Sequence, residues 1–279
     1  EVYDVTLHKG TYPKTPVIHS EVIEYEETKI GYLVYTDFNA EYDNDMLNTI
    51  RDMSAEGISE FILDLRCNKG GSINSAVKLC SAVLPNRYNG NLLYRIERNS
   101  KNSKMDRFSE FYVEDAGEIL NLENITVICS GYSASASELV IMGLRGLDIP
   151  VTLIGSTTEG KNCGMDVTRR TLEGKILEFA PITFMCFNAK GVCDWGDGII
   201  PDIDITQESN ETGVSDKYYP MPRTAWGDYN HDIALAVAVA KITGKNISQS
   251  ATRTSANNPY VTPVQSIAKP AEGIRIYHQ

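Results

Sequence analysis

Ile125-Thr126-Val127-Ile128-Cys129-Ser130-Gly131-Tyr132-Ser133-Ala134-Ser135-Ala136-Ser137-Glu138 decides how the rest of the chain is read. Residues 125–129 form a short β-branched and apolar run of the kind that makes a buried strand. Small residues crowd the turn after it, and Ser137 to Leu147 then carries helical spacing. A buried strand passing through a tight turn into a helix is half of a β-α-β unit, which predicts a largely parallel sheet with helices packed on it.

Outward from this stretch the same alternation repeats. Upstream, Ile30-Gly31-Tyr32-Leu33-Val34-Tyr35 reads as a strand, Asp43 to Met53 as an amphipathic helix with Gly57 beyond its end, Phe61 to Leu65 as a strand, and Ile73 to Leu84 as a helix stopped by Pro85. Downstream, Val151 to Gly155 is a strand. Residues 166–187 alternate around Glu173-Gly174-Lys175 and predict an antiparallel hairpin region. A late helix, Asp232 to Ile242, ends at Gly244. The expected organisation is an N-terminal arm over 1–24, or the end of a preceding module, a core over 25–245, and a Ser/Thr/Asn-rich linker and tail over 246–279.

The chain has 279 residues, 42% of them hydrophobic, enough for a sizeable core. Its net charge of -11 argues against a nucleic-acid groove or an anionic membrane surface, both of which select clustered Lys and Arg. No run of about 18 apolar residues occurs that would predict a membrane span. Six cysteines lack CxxC spacing and the four histidines are scattered, so no metal site is predicted. Most of the thiols read as buried and free, while Cys186 and Cys193, flanking Asn188 to Gly191, could close a hairpin as a disulfide. Trp195 and Trp226 read as packing residues.

Three turns carry possible chemistry. Ser135 sits at a helix N-terminus, where free N–H groups and the helix dipole favour a developing oxyanion; the bland alternative is a capping box, because Ser135-x-x-Glu138 also fits one. Lys161, in Ile154-Gly155-Ser156-Thr157-Thr158-Glu159-Gly160-Lys161, follows another strand 26 positions beyond Ser135. A lysine amine serves as a general base only when neutral, which calls for burial or nearby positive charge; the bland alternative is a solvated loop lysine. Leu63-Asp64-Leu65-Arg66-Cys67-Asn68-Lys69-Gly70-Gly71-Ser72 runs from a strand into a Gly-Gly turn, where the backbone can approach a ligand closely. The spacing of a phosphate-binding loop is absent there.

In this order, LDLRxNxGG, SASASE and the glycine-preceded lysine resemble the S41 family of carboxyl-terminal processing, or tail-specific, peptidases, from about Tyr32 to Asp204 and including Gly198-Ile199-Ile200-Pro201-Asp202. The resemblance implies a core similar to the crotonase and Clp protease folds, and a Ser-Lys serine endopeptidase acting on C-terminal regions of polypeptides. Ser135 is then the nucleophile and Lys161 its base, with oxyanion N–H groups from Ala136 and from Gly70 or Gly71. It also implies no cofactor and a periplasmic or otherwise exported location. Glu138 matches the pattern as support for the helix start. Two positions depart from it: Met165 stands where relatives carry a glutamine that orients the lysine, and Gly146 where some carry an aspartate, so a dyad without a third member is expected. The front of the chain is too short for the PDZ module that commonly precedes the core. The alternatives are a noncatalytic ligand- or peptide-binding protein on the same fold, disfavoured by the intact serine and lysine, and an acyl-CoA enzyme of the crotonase type.

Overall fold

A computed structural model describes residues 15–101, 108–117, 119–205 and 224–244, and the backbone of 275–277. The central sheet has six strands in the order β1 (Val17–Tyr25), β2 (Thr28–Tyr35), β3 (Glu60–Asp64), β6 (Ile125–Cys129), β7 (Val151–Gly155), β12 (Ile203–Asp204). Only the β1–β2 pair is antiparallel; every other pairing in this sheet is parallel. Parallel neighbours need crossovers, and helices lie in three of the four: α1 (Asp43–Ala55), α2 (Ile73–Val83) and α3 (Ala136–Gly146).

Because strand side chains alternate faces, the apolar runs feed two cores at once. Leu33, Tyr35, Phe61, Leu63, Val127 and Leu153 pack beneath α1–α3. On the opposite face Ile30, Tyr32, Val34, Ile62, Ile128 and Ile154 are covered by Ala234, Leu235, Ala238 and Val239 of α4 (Ile233–Thr243).

A second sheet runs β5 (Phe108–Tyr112), β4 (Leu92–Arg98), β11 (Ile182–Asn188), β8 (Cys163–Met165), all antiparallel. The hairpin β9 (Thr168–Leu172) and β10 (Lys175–Phe179) turns at Glu173 and Gly174, both at positive φ, and carries the backbone of β13 (Arg275–Tyr277) on its free edge. Two-residue turns with φ > 0 at both positions match the twist of the flanking strands, so the expected hairpin region is present.

One expectation needs correction, and one possibility the sequence left open is resolved. The sheet begins at Val17, not at residue 25: residues 17–24, assigned to an N-terminal arm, hydrogen-bond along β2 and shield its edge. The cysteines 186 and 193, considered as a disulfide, are free thiols. No strand is read from the sequence at β4 or β5; β4 takes its central place from the distant β11, and β5 is an edge strand paired, among the described residues, with β4 alone. Residues 1–14, and the linker and tail over 246–279 apart from the backbone of 275–277, lie outside the described residues.

One buried ion cluster ties α4 to the central sheet. Arg66 reaches Asp64 (Nη2 to Oδ2, 2.6 Å) and Asp232 (Nη2 to Oδ2, 2.6 Å), and Tyr32 donates its hydroxyl to Asp64 at 2.8 Å. Asp232 also caps α4, accepting the N–H groups of Ala234 and Leu235, while the Arg66 guanidinium lies 5.3 Å from the Trp226 ring centroid. Removing one partner of such a cluster strands a buried charge. Asp232→Ala should therefore lower the unfolding free energy by about 3–5 kcal/mol, read from urea midpoints, whereas a loss below about 1 kcal/mol would mean that the cluster behaves like a surface pair.

Candidate active site

The turn after β6 is held by its own serines. Ser133 Oγ donates to Leu65 O (2.8 Å) and accepts from Ser130 N (3.0 Å), Ser130 Oγ donates to Arg66 O (2.6 Å), and Ser137 Oγ donates to Asn68 O (3.0 Å). These three hydroxyls are buried struts between the turn and the segment after β3. Asn68, itself buried, completes the link by donating to Tyr35 O (3.0 Å) and accepting Ala134 N–H at its carbonyl (3.2 Å).

Ser135, half-buried, stands between the struts at φ 55° and ψ -113°. A non-glycine residue in that region is strained, and it persists only where its surroundings over-determine it. A sharp strand-to-helix turn of this kind lifts the side chain out of the sheet at the mouth of a helix N-terminus.

Glu138 is fully buried, and its carboxylate takes four donors. Oε2 accepts Ser135 N–H and Lys161 N–H, each at 2.8 Å; Oε1 accepts Thr158 Oγ1 at 2.6 Å and Gly160 N–H at 2.7 Å. The bond to Ser135 N–H is the glutamate half of the anticipated capping box. The other three had no signal in the sequence, because nothing there says which turn the remaining lone pairs face. One oxygen thus holds Ser135 N and Lys161 N no further apart than twice 2.8 Å, bringing the two turns together. Burial pushes the Glu138 carboxyl above its ordinary range, against the pull of the Thr158, Gly160, Ser135 and Lys161 donors.

Lys161 is half-buried, and its Nζ has no hydrogen-bond or ion-pair partner among the described residues. Burial, then Cys193 and Cys163, push the Cys186 thiol up to about 12, while Lys161 acts in the opposite direction.

The Gly-Gly turn lies directly over the serine. A Cβ on Gly70 would sit 2.8 Å from both Ala136 N and Ser135 Cβ, and Gly70 has φ 95°, so no other residue fits without displacing the backbone. Gly70 N–H is consumed by Asn68 Oδ1 at 2.8 Å. The N–H groups of Gly71 and Ala136 have no acceptor among the described residues, which separates two glycines that the sequence left equivalent.

Among the described residues no group of three His, Cys, Asp or Glu is placed to hold a metal ion, and no helix is long and apolar enough to cross a membrane.

A strained serine at a helix mouth thus lies beside a lysine turn, on a largely parallel sheet. The peptidase family S41 profile matches residues 29–205, and the chain belongs to that family. A CtpA-like serine protease of Staphylococcus epidermidis is 25% identical over 208 residues, covering 72% of this chain and 40% of its own length. Its Staphylococcus aureus counterpart is 25% identical over 193 residues, covering 69% and 36%. The chain therefore spans well under half the length of these relatives. Among solved structures, an S41 protease from Bacteroides fragilis superposes with a TM-score of 0.72 at 24% identity, over 84% of this chain and 59% of that one. A photosystem II D1 C-terminal processing protease superposes with a TM-score of 0.50 at 23% identity, over 63% and 42%. Both share the fold.

Glu138→Gln keeps the shape but turns an N–H group toward donors. Losing one charge-assisted hydrogen bond costs roughly 1.5–3 kcal/mol, so fluorophosphonate labelling of Ser135 should slow at least about tenfold. Labelling at the wild-type rate would show that the four-donor carboxylate does not set the site.

Proposed function

We propose that the chain carries a serine endopeptidase centre in which Ser135 is the nucleophile and Lys161 the general base. The observation that supports this reading best is the single Glu138 oxygen shared by the backbones of both residues. Neutral Lys161 Nζ takes the Ser135 Oγ proton as Oγ attacks the peptide carbonyl carbon. The oxyanion that forms lies against the free N–H groups of Ala136 and Gly71, in the positive field at the start of α3. Collapse breaks the C–N bond, and the leaving amine takes its proton from Lys161. Water, giving its proton to Lys161, then attacks the ester and releases the acid and free serine.

As a member of a peptidase family the chain acts on polypeptides. The processing protease that shares its fold is named for C-terminal processing, and we extend that preference to C-terminal regions of substrates here, together with an exported location.

An activity-based fluorophosphonate with mass-spectrometric mapping should label Ser135. Ser135→Ala and Lys161→Ala should each abolish hydrolysis of an unstructured polypeptide, and the double variant should cost little more, because the pair acts as one unit. Since the amine works only when neutral, kcat/KM should climb as pH rises through the alkaline range. Unlabelled Ser135 with intact ligand binding would favour the noncatalytic alternative, and a flat pH profile would remove Lys161 as base. Substrates differing only in a free or amidated C-terminus test the terminal preference, and equal rates would refute it.

A further inference from the structure

The turn that carries Lys161 is gripped from two sides, and Glu138 is only one of them. On the other side residues 193–199 press against it, backbone to backbone. A Cβ on Gly160 would lie 2.4 Å from Gly196 O and 2.6 Å from Gly198 N, and one on Gly198 would lie 2.4 Å from Thr158 O. Both glycines sit at positive φ, so this approach is available to them and to few other residues. Hydrogen bonds fasten the two segments at each end. At the near end Ile199 N–H donates to Thr158 Oγ1 at 2.7 Å and Thr158 N–H to Ile199 O at 3.2 Å. At the far end Asn162, the residue after the lysine, donates its amide Nδ2 to Cys193 O at 2.7 Å.

Asn162 is anchored twice over. Its carbonyl also accepts Cys186 N–H at 2.9 Å, tying it into β11, and Gly196 leaves its side-chain amide uncrowded, a Cβ there standing 3.4 Å from Nδ2. Lys161 is thus bracketed: its own N–H and that of Gly160 are fixed on Glu138, and the next residue is fixed on β11 and on Cys193. The lysine amine has no acceptor of its own among the described residues, so what is fixed is the backbone frame from which its side chain leaves.

We infer that Asn162 is a positioning residue for Lys161, holding the C-terminal flank of the lysine turn to Cys193 so that the amine stays directed at Ser135. The inference rests on Lys161 being the base. A hydrogen bond to a backbone carbonyl specifies direction as well as distance, and a nucleophile–base pair loses rate steeply when displaced by about 1 Å. Met165, at the end of β8, offers no group that could take over this task.

The test uses the full chain with Asn162→Ala and Asn162→Asp. The second variant keeps the size and replaces the donor with an acceptor facing Cys193 O. Both should lower kcat about 10- to 100-fold, leave KM within about twofold, and slow fluorophosphonate labelling of Ser135 in proportion, with thermal midpoints near that of the wild type. If either variant folds and keeps kcat within twofold of wild type, or if the loss falls on KM while kcat stands, the inference is overturned. Lys161→Ala is measured beside them. Should it keep wild-type labelling, the base itself is misassigned; should it be silent while both Asn162 variants are fully active, only the role of Asn162 fails.

Discussion

A fully buried carboxylate surrounded by four donors is the constraint on which the rest of this molecule depends. Glu138 has no route to water, so its charge is tolerable only while Ser135 N–H, Lys161 N–H, Gly160 N–H and the Thr158 hydroxyl all point at it. That requirement fixes two turns from different crossovers in one frame. The strain at Ser135 fits the same account: a backbone at φ 55° is held because releasing it would take one donor from a charge that cannot be solvated.

The serine-rich turn shows how composition follows from this. Ser130, Ser133 and Ser137 share the residue type of the candidate nucleophile, yet each is spent on a backbone carbonyl of residues 65–68. Larger residues would push the turn away from β3, and alanines would leave the carbonyls of Leu65, Arg66 and Asn68 without these partners in the interior. Gly70 is required for the same reason from the opposite direction, since any side chain there would occupy the space of Ala136 N and Ser135 Cβ.

The parallel sheet was legible because its strands are buried on both faces and read as continuous apolar runs: 30–35, 125–129 and 151–155 fall on observed strands and 61–65 overruns β3 by one residue. Residues 17–24 escaped assignment to the core because β1 is an edge strand interrupted by exposed polar residues such as Ser20 and Glu24, so it lacks that signature. β4 was missed for a different cause, since its identity as a strand lies in partners about ninety positions away on β11, and β5 in turn depends on β4. At the site, the motifs picked out Ser135, Lys161 and the glycine pair. They could not distinguish Gly70 from Gly71, which depends on where the Asn68 side chain turns, nor reveal that Glu138 reaches across 23 positions to Lys161.

The two-faced sheet also sets an order in time. Residues 29–205 contain both site turns, but the face made by Ile30, Tyr32, Val34, Ile62, Ile128 and Ile154 is covered by α4, which begins only at Ile233. During synthesis that face stays wet, and Arg66, whose carbonyl anchors Ser130 beneath the serine turn, has Asp64 but not yet Asp232. A nascent chain therefore holds the residues of the site well before it holds the support beneath them. Completion of the support beneath Ser130 therefore waits on α4, the most C-terminal of the described helices.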